Sequence, residues 1–176
     1  MAEVVIDTNV LRVASRHHQD VSSECVAACI ERLQHIRAKD CVVIDTAFHI
    51  LGEYQKGLNA NKGKGVGEAF LKWLLQNQAN PKRVQRVALT ELADNDYAEF
   101  PDPALAAAFD PPDRKFVAVA HAHPKKPPVL QATDSKWLRW HDRLQQHGVR
   151  VEFLCPQDIC RFFKAKFPNE AVPPLP

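Results

Sequence analysis

The pentapeptide Val-Val-Ile-Asp-Thr occurs twice, at 4–8 and at 42–46. Each copy is an apolar run too short for a helix, and each ends in an acid. Such a run reads as a buried strand. A strand that is apolar on both faces belongs in the middle of a parallel sheet, where helices cover both sides. The two copies therefore predict two central parallel strands in similar surroundings. Nothing downstream repeats at that period, so the repeat does not signal a domain duplication.

The rest of the chain alternates in the same way. Asp20 or Ser22 caps a helix through about Lys39, with Val26, Ile30 and Leu33 on one face. Phe48 to about Leu58 reads as a helix carrying Glu53, and Asn59 to Gly67 as a Gly, Lys and Asn loop. Glu68 to Gln78 reads as another helix, and Val84 to Leu89 as a short strand. Asn95 to Pro103 is polar and interrupted by proline, hence a loop. Asp110-Pro111-Pro112-Asp113 opens a helix, with proline and acids in its first turn. Pro127 to Ala132 is a strand, Ser135 to His147 a helix that Gly148 closes, and Val149 to Phe153 a final strand. Alternation of this kind predicts an α/β fold with a mostly parallel central sheet, because parallel strands need crossover connections. At 176 residues the chain is sized for one domain. Residues 1–155 form it, and 156–176 form an extension with a short helix and a Pro-rich tail expected to be loose.

Net charge is only +2, but its distribution is uneven. Seven basic residues and the single acid Glu68 lie between Lys56 and Thr90. Seven acids and no lysine or arginine lie between Glu91 and Asp113. A basic block beside an acidic one suits a polyanion held near a cation, and equally suits two solvated faces of opposite sign. The five cysteines (Cys25, Cys29, Cys41, Cys155 and Cys160) are odd in number. No basic leader or long apolar run precedes the first strand, which points to a reducing cytoplasmic compartment and no membrane. The cysteines then read as buried small hydrophobes.

In open parallel sheets, ligands sit beyond the carboxyl ends of the strands. Asp7 and Asp134 fall at that edge. Asp113 stands at a helix start that can open on it, and Glu53 lies in the helix after the second strand. Four carboxylates from distant segments repel unless a cation holds them, and magnesium prefers such oxygen ligands. Each acid also has a local explanation. Asp7 can cap the turn after its strand, and Asp134 the helix after it. Asp113 can partner Asp110 in a cap, and Glu53 can be an exposed helix residue. Asp45 and Asp110 are candidates for supporting acids, with capping as the alternative.

Val5-Ile6-Asp7-Thr8-Asn9-Val10-Leu11 resembles the opening of PIN-domain proteins, a nuclease family that includes many toxin ribonucleases. Ile50-Leu51-Gly52-Glu53-Tyr54 is similar to that family's second acidic segment. Asp113-Arg114-Lys115-Phe116-Val117-Ala118-Val119-Ala120 is similar to its third, and Leu130-Gln131-Ala132-Thr133-Asp134 to its fourth. The resemblance implies a three-layer α/β/α sandwich and a Mg2+- or Mn2+-dependent endoribonuclease that hydrolyses RNA phosphodiester bonds. It implies Asp7, Glu53, Asp113 and Asp134 as metal ligands or catalytic acids, and Asn9 as a substrate-orienting residue. Many members carry a further acid two or three residues past the fourth, where this chain has Lys136 and Trp137.

The expectation is thus a metal-dependent ribonuclease, with the toxin of a toxin–antitoxin pair as its candidate role. Lys56, Lys62, Lys64, Arg83 and Arg86 are candidate RNA contacts, and an antitoxin protein and a second copy are candidate partners. The alternative is a PIN-like RNA-binding or protein-interaction module without turnover, which Lys136 and Trp137 motivate. A phosphoacceptor or phosphatase using Asp7 ranks last, because no paired acid stands beside it.

Overall fold

A computed structural model describes residues 1–176. Five strands form one all-parallel sheet: β1 (Glu3–Ile6), β2 (Cys41–Asp45), β3 (Val84–Val87), β6 (Val129–Gln131) and β7 (Val151–Phe153), in the order β3-β2-β1-β6-β7. The repeated pentapeptides lie side by side and in register, with Val4 opposite Val42. Their residues Val4 to Ile6 and Val42 to Ile44 are fully buried, as apolar strands covered on both faces must be.

Helices cover both faces, giving a three-layer α/β/α sandwich. The helices α1 (Thr8–Ala14), α2 (Ser23–Lys39) and α4 (Val66–Asn77) pack on one another. On the other side α6 (Arg114–Ala122) lies across β1 and β2 and touches α3 (His49–Gly57), while α7 (Trp137–Gln146) packs on β7. Ser22 caps α2 by accepting the backbone N–H of Cys25. The core includes Trp137 and Trp140, as their spacing on a helix suggests.

Three segments differ from the sequence reading. Residues 8–14 form α1, although no apolar stripe announces it. Thr8, Val10, Leu11, Val13 and Ala14 are all buried, so the helix is wrapped on nearly every side. The stretch expected as a loop from Asn95 to Pro103 contributes β5 (Asp96–Tyr97), which pairs with β4 (Glu91–Ala93) in a separate antiparallel hairpin. It is followed by α5 (Pro103–Ala108), which Asp102 caps by accepting the Leu105 N–H.

The C-terminal extension is not loose. Its helix α8 (Pro156–Lys166) packs Ile159 and Phe163 against Leu138 of α7, and Val172 joins that cluster. Beyond the helix, Glu170 pairs with Arg139, and the Pro174 carbonyl bonds His141 Nε2 at 2.9 Å. Leu175 and Pro176 share a cavity of about 460 Å³ with Val151 and Phe153 of the edge strand β7. At the opposite margin, β3 borders a groove of about 730 Å³.

The cysteines also differ. Cys29 and Cys41 are buried thiols, as expected, and Cys160 is half-buried. Cys25 and Cys155, however, form a disulfide that links α2 to the start of α8.

Asp45 ends β2 and is fully buried. It accepts the N–H groups of His49 at 2.8 Å and Ile50 at 2.9 Å, so it caps α3, and it also contacts His49 Nδ1 at 2.9 Å. Capping is thus its observed role. Asp45→Ala leaves two helix-start donors without their acceptor and is expected to cost about 2 kcal/mol or more. Urea unfolding measures this, with Asp45→Asn recovering part of the loss.

Candidate metal centre

The strand order reverses direction between β1 and β6. Connections from β1 run outward through β2 to β3, whereas β6 and β7 lie on the other side. Such a switch point leaves a crevice at the carboxyl ends of its two strands. Asp7 directly follows β1, and Asp134 lies just beyond β6.

Asp7 is buried, at 5% exposure. One carboxylate oxygen accepts the Asn9 N–H at 2.9 Å, capping α1, and the other accepts Gln131 Nε2 at 3.0 Å. The capping explanation and the site therefore coincide in one residue. Gln131 is fully buried and acts as a hub. Its Oε1 accepts from Asn9 Nδ2 and from the backbone N–H groups of Ala132 and Asp134, the latter two at 3.0 and 3.2 Å. Asn9 Oδ1 in turn accepts the Ala132 N–H at 3.0 Å. Asn9 and Gln131 together lock the start of α1 to the end of β6, and so fix Asp7 relative to Asp134. The sequence reading named Asn9 but missed Gln131, whose signal was a lone polar residue inside an apolar strand.

Glu53 reaches the same edge from α3. The neighbouring Tyr54 donates its hydroxyl to the Ile6 carbonyl, anchoring this turn of α3 to the end of β1. The Glu53 carboxylate accepts from the Thr8 hydroxyl and pairs with Lys115 Nζ. Lys115 is nearly fully buried and also donates to the Pro112 carbonyl. Nothing local in the sequence marked it as a partner of Glu53.

The third group comes from the turn ahead of α6. A short 3-10 segment, Pro111–Asp113, places Asp110 and Asp113 next to Asp134. Carboxylate oxygens of these three residues lie within 4.8 Å of one another. Arg114 braces the turn, donating to the carbonyls of Asn95 and Phe109. Asp134 accepts the Lys136 N–H at 3.1 Å, and Lys136 Nζ pairs with Asp110. Asp110 thus stands in the cluster itself.

The electrostatics reflect this crowding. Burial, the neighbouring Asp113 carboxylate and then those of Glu53 and Asp134 push Asp7 far above the usual carboxylate range. Asp113 is raised to about 7, first by burial and then by Asp134 and Glu53, with Lys115 opposing. Asp134 is also raised, mainly by burial, against the pull of its Lys136 hydrogen bond and charge. Five carboxylates face two ammonium groups in direct contact. The donors are all hard oxygens, and the surplus is negative. Such a set fits a divalent cation of the magnesium type.

The basic candidates divide. Lys56 and Lys62 line a groove of about 710 Å³ with His17 and Asn61, at the end of the helix that carries Glu53. Lys64 is exposed on the same loop. Arg83 instead donates to the carbonyls of Arg37 and Ala38, at the amino-terminal edge of the sheet. Arg86 donates to the Gln78 carbonyl and stacks on Phe48, 5.0 Å from the ring centre. The structure does not bring these two arginines to the acids.

No protein-family model, curated protein or solved structure matches this chain.

A carboxyl raised by the fold holds its proton more tightly in the folded chain than in the unfolded one. For Asp113 the window runs from the unfolded value of about 4 to the folded value of about 7. Stability of the metal-free protein therefore falls as pH rises through that window. In EDTA, Asp113→Asn is expected to raise the melting temperature at pH 8 by about 3 °C or more. The wild type should gain more than the variant when Mn2+ or Mg2+ is added, and thermal unfolding at pH 5.5 and pH 8 measures both effects.

Proposed function

We propose that the chain is a metal-dependent nuclease that hydrolyses RNA phosphodiester bonds. The observation that carries this reading is the crowding of carboxylates at the β1/β6 switch point, where Asp7 is buried and Asp110, Asp113 and Asp134 are half-buried within reach of one another. Asp110, Asp113 and Asp134 would hold a divalent cation, with Asp7 and Glu53 completing its surroundings. When bound, the cation supplies Lewis-acid polarisation of a phosphoryl oxygen and acidifies a water for attack on phosphorus. The chain's own groups do the rest. Gln131 and Asn9 keep Asp7 in place, and Lys115 holds Glu53. Lys136, which pairs with Asp110, would offer its ammonium to a phosphate oxygen if a bound cation engaged that carboxylate. The Lys56–Lys62 groove offers positive charge to the flanking backbone, a contact that weakens as salt rises. The choice of RNA rests on the likeness of the four acidic segments to PIN-domain proteins. A toxin role with an antitoxin partner belongs to the same proposal.

A second reading has its own support. Lys136 neutralises Asp110 inside the cluster, as a lysine would in a domain that binds RNA without turnover. The test uses end-labelled single-stranded RNA and DNA with Mg2+, with Mn2+ and with EDTA. Cleavage of RNA is expected with metal only. Asp7→Asn and Asp113→Asn should each lower the rate by about 100-fold or more while the fold persists, a loss typical of deleting a key electrostatic group. Turnover that survives both substitutions would sink the nuclease reading. Metal-dependent RNA binding with no products selects the second one.

Lys136 also bears on metal count. Mn2+ titration by calorimetry should give one strong site in the wild type. Lys136→Glu, which removes the ammonium and adds an oxygen donor, should add a second site; an unchanged isotherm would argue against competition between Lys136 and a cation.

A further inference from the structure

Away from the acids, three cysteines share one spot. Cys25 and Cys29 lie four residues apart on α2, which puts both on one face of the helix. Cys155 opens α8 and faces them. The three sulfurs lie within 4.8 Å of one another, and Cys29 Sγ stands 3.9 Å from Cys155 Sγ. Cys25 and Cys155 are bonded, with Cα atoms 5.0 Å apart, and Cys29 remains a thiol.

Access differs among the three. The disulfide lines a surface cleft of about 250 Å³, together with Ser22, Glu24, Leu154 and Asp158. Cys29 does not line that cleft and is fully buried. Cys25 and Cys155 are each only 3% exposed, so a small reagent that enters the cleft meets a narrow edge of the disulfide and not the third thiol.

The two segments are also held together without the bond. Asp158 accepts the Ser22 N–H at 2.7 Å and the Ser22 hydroxyl at 2.8 Å. Arg161 donates to the Asp20 carbonyl at 2.6 Å. These contacts keep the sulfurs in reach of one another when the bond is open.

We propose that Cys25, Cys29 and Cys155 form a thiol–disulfide exchange site that takes a small uncharged thiol, with Cys29 as its internal resolving thiol. The steps balance without an oxidant or reductant. A small thiolate attacks Cys155 Sγ, a mixed disulfide forms there, and Cys25 leaves as a thiolate. Cys25 accepts the proton of Cys29. The Cys29 thiolate attacks Cys155 Sγ, a Cys29–Cys155 bond forms, and the small thiolate departs. The link between α2 and α8 thereby moves one helical turn and stays closed. Burial raises the Cys29 thiol to about 12, so it is quiet until Cys25 is released beside it.

The test uses full-length protein purified without reductant, with 2-mercaptoethanol at low concentration as the small thiol. After acid quenching and alkylation, non-reducing peptide mass mapping assigns the links. Untreated protein should show Cys25–Cys155 alone. Treated protein should show a second population with Cys29–Cys155 linked and Cys25 alkylated. Cys29→Ala should instead accumulate the mercaptoethanol adduct on Cys155, about tenfold above wild type. Cys29→Ser serves as the second variant, and the link shift in wild type decides the matter if neither variant folds. Five alkylated cysteines in untreated protein would overturn the proposal. So would a wild-type map unchanged by the thiol, or an adduct level equal in wild type and variants.

Discussion

Mutual repulsion among crowded, partly buried carboxylates is the constraint around which this structure is arranged. Asp7, Glu53, Asp110, Asp113 and Asp134 arrive from four separate segments and crowd one crevice. Like charges in a crowded crevice push the protein apart or push protons on, and the raised carboxyls of Asp7 and Asp113 accord with the second response. What resists the first response is a frame of neutral contacts. Asn9 and Gln131 tie α1 to β6, and Tyr54 ties α3 to β1. Behind them stands the buried core of β1 and β2, whose identical sequences pair in register.

Two lysines temper that repulsion in different ways. Lys115 is buried and shares its charge between Glu53 and the Pro112 carbonyl, so it belongs to the frame. Lys136 is partly exposed and pairs with Asp110 at the rim. A rim lysine is free to swing, whereas a buried one is not, because its charge has nowhere else to go. The same residue type therefore serves a fixed role at one position and an exchangeable one at the other.

Much of this was legible in the sequence where the information is local. The repeated Val-Val-Ile-Asp-Thr announced two central strands, and the Asp20–Ser22 stretch announced the helix that Ser22 caps. Asp7, Asp113 and Asp134 stand out because each sits next to a recognisable strand end or helix start, whereas Glu53, in the middle of α3, stands out only by the likeness of its segment to a family motif. Other features depend on pairs far apart along the chain. Asn9 and Gln131 are 122 residues apart, and neither residue hints at the other. Lys115 looks like an ordinary helix lysine until Glu53 is placed beside it. The helix α1 carries no apolar stripe because almost every side of it is covered. The hairpin β4–β5 is two and three residues of strand, too short to show alternation. The link from Cys25 to Cys155 spans 130 residues and has no spacing signature at all.

The ordered C-terminal segment has a geometric consequence. A parallel sheet ends in two rows of backbone groups that can each accept another strand. Here Leu175 and Pro176 line a cavity of about 460 Å³ beside β7, while β3 borders a groove of about 730 Å³. A molecule with a single free margin can join another copy edge to edge once, and the pair is then closed. A molecule with two free margins can join at both and add copies without end. A segment beside β7 narrows the approach to that margin, and so bears on how many ways one copy can join another.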